Sequence, residues 1–215
     1  MNYLALDIGQ VLCHIDQYAF ISQTSETLNV APADVERVLR RMWELHDLGH
    51  ANIKDELTEK LHVKSPVILD KLSSLWDKVV FPNTVVVDFI NDLRIKYDVK
   101  VALLSNIGLE HAELMKTMLS RGGLYSESIK HFSCFVGARK PSYLYYQSFL
   151  SMHPEFKGCL YIDDIQKNLE TGGLFDFKGY NFSLGNYYPF QTSMRSLEEE
   201  LELIEVTFLE VNKLL

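Results

Sequence analysis

Asp7 follows the apolar residues Tyr3-Leu4-Ala5-Leu6, and the run breaks at Asp7 and Gly9. A carboxylate on the turn after a buried strand can act as a nucleophile or hold a hard cation, and Asp7 is placed for either role. A second apolar run, residues 159–162, ends at Asp163-Asp164. Those carboxylates add oxygen ligands of the kind Mg²⁺ prefers, and Asn168, about one helical turn on, can brace them. Clustered carboxylates repel one another and call for a cation, for which Lys140, fixed by Pro141, is the candidate. Residues 99–104 end at Ser105-Asn106, where Ser105 can donate a hydrogen bond to a phosphate oxygen. An anion held between metal, ammonium and hydroxyl is the electrostatic arrangement that phosphoryl transfer needs.

These residues need elements that bring them together. Residues 3–6, 99–104, 132–136 and 159–162 read as buried strands, each ending in polar residues, and a last strand is expected near 180–184. Helical segments lie between them, with Val85, Phe89 and Leu93 on one face and Leu114, Met118 and Leu119 on another. The alternation predicts an α/β, doubly wound, Rossmann-like parallel sheet, whose ligands bind outside the carboxyl ends of the strands. Residues 15 to about 81 show helical periodicity without a clear strand, with helices at 33–48 and 54–61 joined by a turn at Gly49 and another opened by Pro66. Phe81-Pro82-Asn83 forms the return hinge. The expected division is a core of 1–14 and 83–215 carrying a helical cap of 15–82.

Beyond Gly185-Asn186-Tyr187-Tyr188-Pro189, a turn-rich stretch, a long helix carries Leu197, Leu201, Ile204, Phe208, Val211 and Leu215 at alternating spacings of four and three. With fewer than three full heptads this reads as a helix docked on the core rather than a coiled-coil seam. Glu198 to Glu200 and Glu202 read as its solvated face. His14 and Asp16, just past the first loop, either assist proton transfer or anchor the cap. His46, His50, Trp43 and Tyr18 are candidate pocket residues of the cap, with core or surface the plainer alternative.

The chain has 215 residues, 29 acidic and 21 basic, for a formal charge of −8. That sign is wrong for a surface built to attract nucleic acid or anionic lipid. Cys13, Cys134 and Cys159 lack CxxC spacing and the histidines lack metal spacing, so neither a disulfide framework nor a zinc site is expected. No secretory n-region opens the sequence and no apolar run approaches a membrane span. A cytoplasmic protein, monomeric or a weak homodimer, is the expectation.

In this order, Leu6-Asp7-Ile8-Gly9-Gln10-Val11-Leu12, Leu103-Leu104-Ser105-Asn106, Gly137-Ala138-Arg139-Lys140-Pro141 and Tyr161-Ile162-Asp163-Asp164 resemble the four motifs of the haloacid dehalogenase-like superfamily. The resemblance covers nearly the whole chain, and the insertion is similar to the helical cap, of the C1 type, in that family. Asp-x-Gly-x-Val with Arg-Lys-Pro resembles the branch containing bacterial sugar-phosphate phosphatases, among them an α-glucose-1-phosphatase. The resemblance implies a Mg²⁺-dependent hydrolysis of a small phosphorylated metabolite through an aspartyl-phosphate on Asp7. It also implies that Asp7, Asp163 and the Gly9 carbonyl hold Mg²⁺ and that Ser105, Asn106 and Lys140 bind the phosphoryl group. Asp164 or Asn168 would steady Lys140 or a metal-bound water. Most phosphatases of the superfamily carry a second Asp where this chain has Gly9. General acid–base help contributes about 10²–10⁴-fold, so its loss falls hardest on poor leaving groups. A catalytically silent binding protein, and a dehalogenase using Asp7 on carbon, are the competing readings.

Overall fold

A computed structural model describes residues 1–188 and 191–214. The elements are β1 (Asn2–Leu6), β2 (Cys13–Ile15), α1 (Gln17–Leu28), α2 (Pro32–Asp47), α3 (Ile53–Lys60), α4 (Pro66–Lys78), β3 (Val80–Pro82), α5 (Thr84–Lys96), β4 (Val99–Ser105) and α6 (Leu109–Met118). There follow α7 (Leu124–Glu127), β5 (Ile129–Phe132), α8 (Ser133–Val136), α9 (Tyr143–Met152), β6 (Leu160–Asp163), α10 (Gln166–Gly173), β7 (Lys178–Asn181) and α11 (Leu197–Val211).

Five strands form a parallel sheet in the order β5-β4-β1-β6-β7. The central strands β1, β4 and β6 are largely apolar on both faces because both are covered. Leu4, Leu6, Leu103 and Ile162 enter one core cluster. Ala5, Ala102, Leu104 and Tyr161 point the other way, against Tyr145, Tyr146, Phe149 and Phe177. β1 lies centrally, with β4 on one side and β6 on the other, so the chain reverses its direction of winding there. The loops after β1, β4 and β6 therefore open into one crevice.

Four helices, α1 to α4, make up the insertion, which leaves and rejoins the core through the antiparallel pair β2–β3. Three-residue strands are too short to show a period of two, so that ribbon is invisible in the sequence. Pro32 and Pro66 each open a helix from the first turn, where a missing N–H costs nothing.

Several expectations shift. Residues 132–136 are not a strand: β5 ends at Phe132, Ser133–Val136 is one helical turn closed by Gly137 at φ 71°, and Phe135 is 67% exposed. The Ser133 hydroxyl diverts the chain by accepting from the Ile107 N–H and donating to the Asp47 carbonyl. In α5 the buried face is Val86, Val87, Ile90 and Leu93, not Val85 and Phe89. Asn83 sets that phase by capping the N–H groups of Val85 and Val86. The buried residues of α6 are His111, Ala112 and Met115, with Leu119 following and Leu114 and Met118 only half-buried. The final strand is 178–181; Phe182 and Leu184 are buried, but beyond it.

Helix α11 opens with a Ser196–Glu199 capping box and buries Leu201, Ile204 and Phe208 in the core, so it docks rather than forming a seam. Leu215 and Pro189 lie outside the described residues. Glu200 is not solvated: it accepts from the Tyr180 hydroxyl at 2.5 Å and pairs with Arg195 at 3.3 Å. No helix among the described residues is long and apolar enough to cross a membrane.

His131, on β5, is 2% exposed, and its Nε2 lies 3.1 Å from the Tyr145 carbonyl. Burial pushes its pKa down to about 4 from 6.5. The stability tied to this neutral ring is present above pH 6.5 and is lost as pH falls toward 4, at roughly 3 kcal/mol in all. Urea unfolding across pH 7 to 4 is expected to show that loss, and His131→Gln to reduce it. An unaltered pH slope in the variant would contradict the assignment.

Candidate active site

Asp7 extends β1 by one bond, its N–H donating to the Ile162 carbonyl at 2.9 Å. Its side chain is buried, with Oδ1 accepting from the Ile8 N–H at 2.7 Å and lying 3.1 Å from Lys140 Nζ. Oδ1 carries both contacts, which leaves Oδ2 for chemistry. Burial raises the Asp7 pKa to about 6, with Lys140 opposing and Asp163 assisting.

Lys140 is 1% exposed and donates to Asp163 Oδ2 at 2.7 Å and to the Leu104 carbonyl at 2.6 Å. Burial alone would strip its proton; Asp163 and Asp7 outweigh that and hold the ammonium above the ordinary lysine range. Asn106 fixes the backbone there, accepting from the Lys140 N–H at 2.7 Å and donating to its carbonyl at 2.9 Å. The Asn106 side chain is thus occupied in positioning Lys140.

Asp163 and Asp164 have different surroundings. Asp163 is fully buried and its oxygens accept from Lys140, the Tyr161 hydroxyl, the Ile165 N–H at 2.8 Å and Asn168 Nδ2 at 2.9 Å. Four donors engage that carboxylate, so Asp163 and Asn168 also hold Lys140. Asp164 is the half-buried partner, raised to about 7 by burial and then by the negative charge of Asp7 and Asp163. Oxygens of Asp7, Asp163 and Asp164 come within 4.8 Å of one another. Carboxylates driven to hold protons near neutrality, in an all-oxygen set, fit a hard divalent cation. Among the described residues the Gly9 carbonyl accepts no backbone hydrogen bond of its loop, which leaves it able to join Asp7 and Asp164.

Ser105 is 3% exposed and, with Gly9, lines a cavity of about 50 Å³ between the sheet and the helical insertion. Trp43, His46, Trp76 and His111 line its far side. Of the cap candidates, then, His46 and Trp43 reach the cavity, whereas Tyr18 and His50 are exposed. His14 and Asp16 anchor the cap: the His14 ring bonds Gln10 Oε1 at 3.1 Å and packs on Phe81, and Asp16 caps α1. Trp76, His111, Asp47 and Glu110 are residues that sequence reasoning missed; only the adjacent His46-Asp47 pair at the end of α2 offered a signal. Burial lowers the pKa of His46, but Asp47 and Glu110 more than reverse this, to about 9. Asp47 is in turn held by Arg139 at 2.8 Å, so the residue beside Lys140 ties cap to core.

A Cβ at Gly9 would lie 3.2 Å from Ile15 Cδ1, a flexible neighbour, and the backbone there is not in the left-handed region. Gly9→Asp is therefore expected to fold and to raise kcat on alkyl phosphates by about tenfold or more while leaving aryl phosphates little changed, because only the former need a donated proton. A loss on both substrates would refute this.

No family model matches the chain, and no curated relative does. Among solved structures, the magnesium and inorganic phosphate complex of the HAD family enzyme BT-2542 from Bacteroides thetaiotaomicron superposes with a TM-score of 0.72 at 19% identity, over 88% of this chain and 98% of that one. A HAD-like family hydrolase from Porphyromonas gingivalis gives 0.72 at 21%, over 95% and 98%. A dehalogenase gives 0.64 at 15%, over 94% and 96%. At these identities the likeness establishes the haloacid dehalogenase-like fold, which is the fold of this chain.

Proposed function

We propose that this chain is a Mg²⁺-dependent hydrolase of small soluble phosphomonoesters, with Asp7 as nucleophile. The observation that carries the reading is the buried Asp7–Lys140–Asp163 array, with Asp164 beside it as a carboxylate in no ion pair among the described residues. The magnesium and phosphate bound by the Bacteroides enzyme of the same fold support it.

Asp7 Oδ2 attacks phosphorus; a P–Oδ2 bond forms and the bond to the leaving oxygen breaks. Water then attacks the aspartyl-phosphate, releasing inorganic phosphate and restoring Asp7. Lys140 and the Ser105 hydroxyl meet the oxygens of the phosphoryl group. Asp163, Asn168 and Tyr161 hold the ammonium in place, and Asn106 holds its backbone. Asp7, Asp164 and the Gly9 carbonyl would bind Mg²⁺, which when bound offsets the charge of the carboxylates and of the phosphoryl oxygens. Gly9 supplies no proton, so esters with good leaving groups are favoured. The substrate is a small phosphorylated metabolite rather than nucleic acid or lipid, the chain acting as a monomer or weak homodimer in the cytoplasm.

The test is phosphate release from an aryl phosphate and a panel of small phosphomonoesters, with and without Mg²⁺. Metal-dependent release is expected. Halide release from 2-haloacids in the absence of metal would replace this reading with a dehalogenase, and silence of the folded protein on every substrate would replace it with a binding protein. Asp164→Asn is expected to raise the Mg²⁺ needed for half-maximal rate by about tenfold or more, in line with loss of a charged ligand. Equal Mg²⁺ requirements in variant and wild type would return the metal role to Asp163.

A further inference from the structure

Two residues that line the cavity each carry a buried side-chain nitrogen with no hydrogen-bond partner among the described residues, Trp76 Nε1 and His46 Nε2. Trp76 is 1% exposed and His46 4%. Glu110 Oε2 lies 3.5 Å from His46 Nε2, an ion-pair distance without hydrogen-bond geometry. The two rings meet edge to face with centroids 5.6 Å apart. Buried polar groups are nearly always satisfied, so two bare N–H donors beside one cavity mark a place where a ligand brings oxygen.

The arrangement around the donors is built rather than incidental. His111 stacks on Trp76 at 4.9 Å and bonds the Trp76 carbonyl at 3.2 Å, fixing the indole from behind. Asp47 and Glu110 flank the His46 ring and keep it cationic, while Arg139 and the Ile53 N–H engage those carboxylates. Gly108 leaves room for the imidazole, since a Cβ there would stand 2.4 Å from His46 Cε1. The remaining wall is largely apolar, from Ile8, Cys13, Ile15, Val80, Ile107 and Met115.

Resting on the reading of Asp7 as a phosphohydrolase nucleophile, we infer that His46 and Trp76 receive a carboxylate carried by the leaving group, so that the substrates are small phosphorylated carboxylic acids. A carboxylate offers two acceptor oxygens to two donors and brings the charge an imidazolium favours. A sugar would bring hydroxyl protons to a largely apolar wall. Ser105 and Gly9 on the near wall place the phosphoryl group at the other end of the same cavity.

Trp43 and Trp76, the two tryptophans of the chain, both line this cavity, which gives a binding readout independent of turnover. Glycolate and lactate, titrated in the presence of Mg²⁺ and inorganic phosphate, are expected to change tryptophan emission at concentrations at least tenfold below ethylene glycol and propane-1,2-diol. The kcat/KM ratio of phosphoglycolate to ethyl phosphate is expected to exceed about 30, expressed mainly in KM. It should fall below about 3 in His46→Gln, and to an intermediate value in Trp76→Phe, which retains Trp43 as reporter and serves also if the first variant does not fold. Equal binding of acids and diols, or an undiminished ratio in the variants, would overturn the inference while leaving the phosphatase reading intact. Failure of the wild-type protein to release phosphate from any ester would instead strike the reading on which it rests.

Discussion

Asp7→Asn is expected to lower Mg²⁺-dependent phosphate release by at least about 10⁴-fold, to the background of the assay, because the amide cannot form the covalent intermediate. The fold should survive. The Asp7 side chain contacts the Ile8 N–H and Lys140, and an amide oxygen can still accept from both. Lys140 keeps Asp163 as counter-charge at 2.7 Å. The carboxylate of Asp7 is also costly to bury, as its pKa of about 6 records, so neutralising it relieves the folded state at neutral pH. Thermal unfolding of the variant should therefore occur at or above the wild-type temperature. Wild-type turnover in a folded Asp7→Asn protein would end the covalent mechanism, whereas lost turnover together with lost structure would say nothing about chemistry and much about packing.

The residues around Asp7 were legible because strand ends have a simple grammar. β1, β4 and β6 are apolar runs that each stop at a polar residue, and a parallel sheet with its winding reversed at β1 can only gather those ends on one side. Which neighbour of a pair does what is a different matter. Asp163 and Asp164 are chemically identical in sequence; they part roles because strand alternation sends one carboxylate toward Tyr161, Asn168 and Lys140 and leaves the other at the crevice. The same holds for Asn106, whose two hydrogen bonds reach a residue far along the chain. The phase of α5 was misjudged because a cap at Asn83, not the apolar pattern, sets where the helix begins. The His46, Trp76, His111 and Glu110 cluster was beyond reach, since it joins α2, α4 and α6, and nothing in a periodic pattern says how a cap seats on its core.

Lys140→Met is the sharper test of the site as a folded object. Removing the ammonium leaves Asp163, with no exposure at all, dependent on Tyr161, Ile165 and Asn168, and leaves the Leu104 carbonyl without its side-chain donor. Breaking a buried ion pair from one side costs about 3–5 kcal/mol, and turnover should fall by at least about 10³-fold with it. The cost should shrink as pH falls. Without Lys140, the folded-state pKa of Asp7 lies further above its unfolded value, so the folded variant takes up protons more readily and regains stability as pH falls. Wild-type protein regains less in the same range, because Lys140 already opposes the rise of Asp7 and holds it to about 6. Urea midpoints measured at pH 8 and pH 5.5 should therefore lie closer together for variant and wild type at the lower value. A gap that widens toward acid would mean that Lys140 is not the charge holding the two aspartates in the fold.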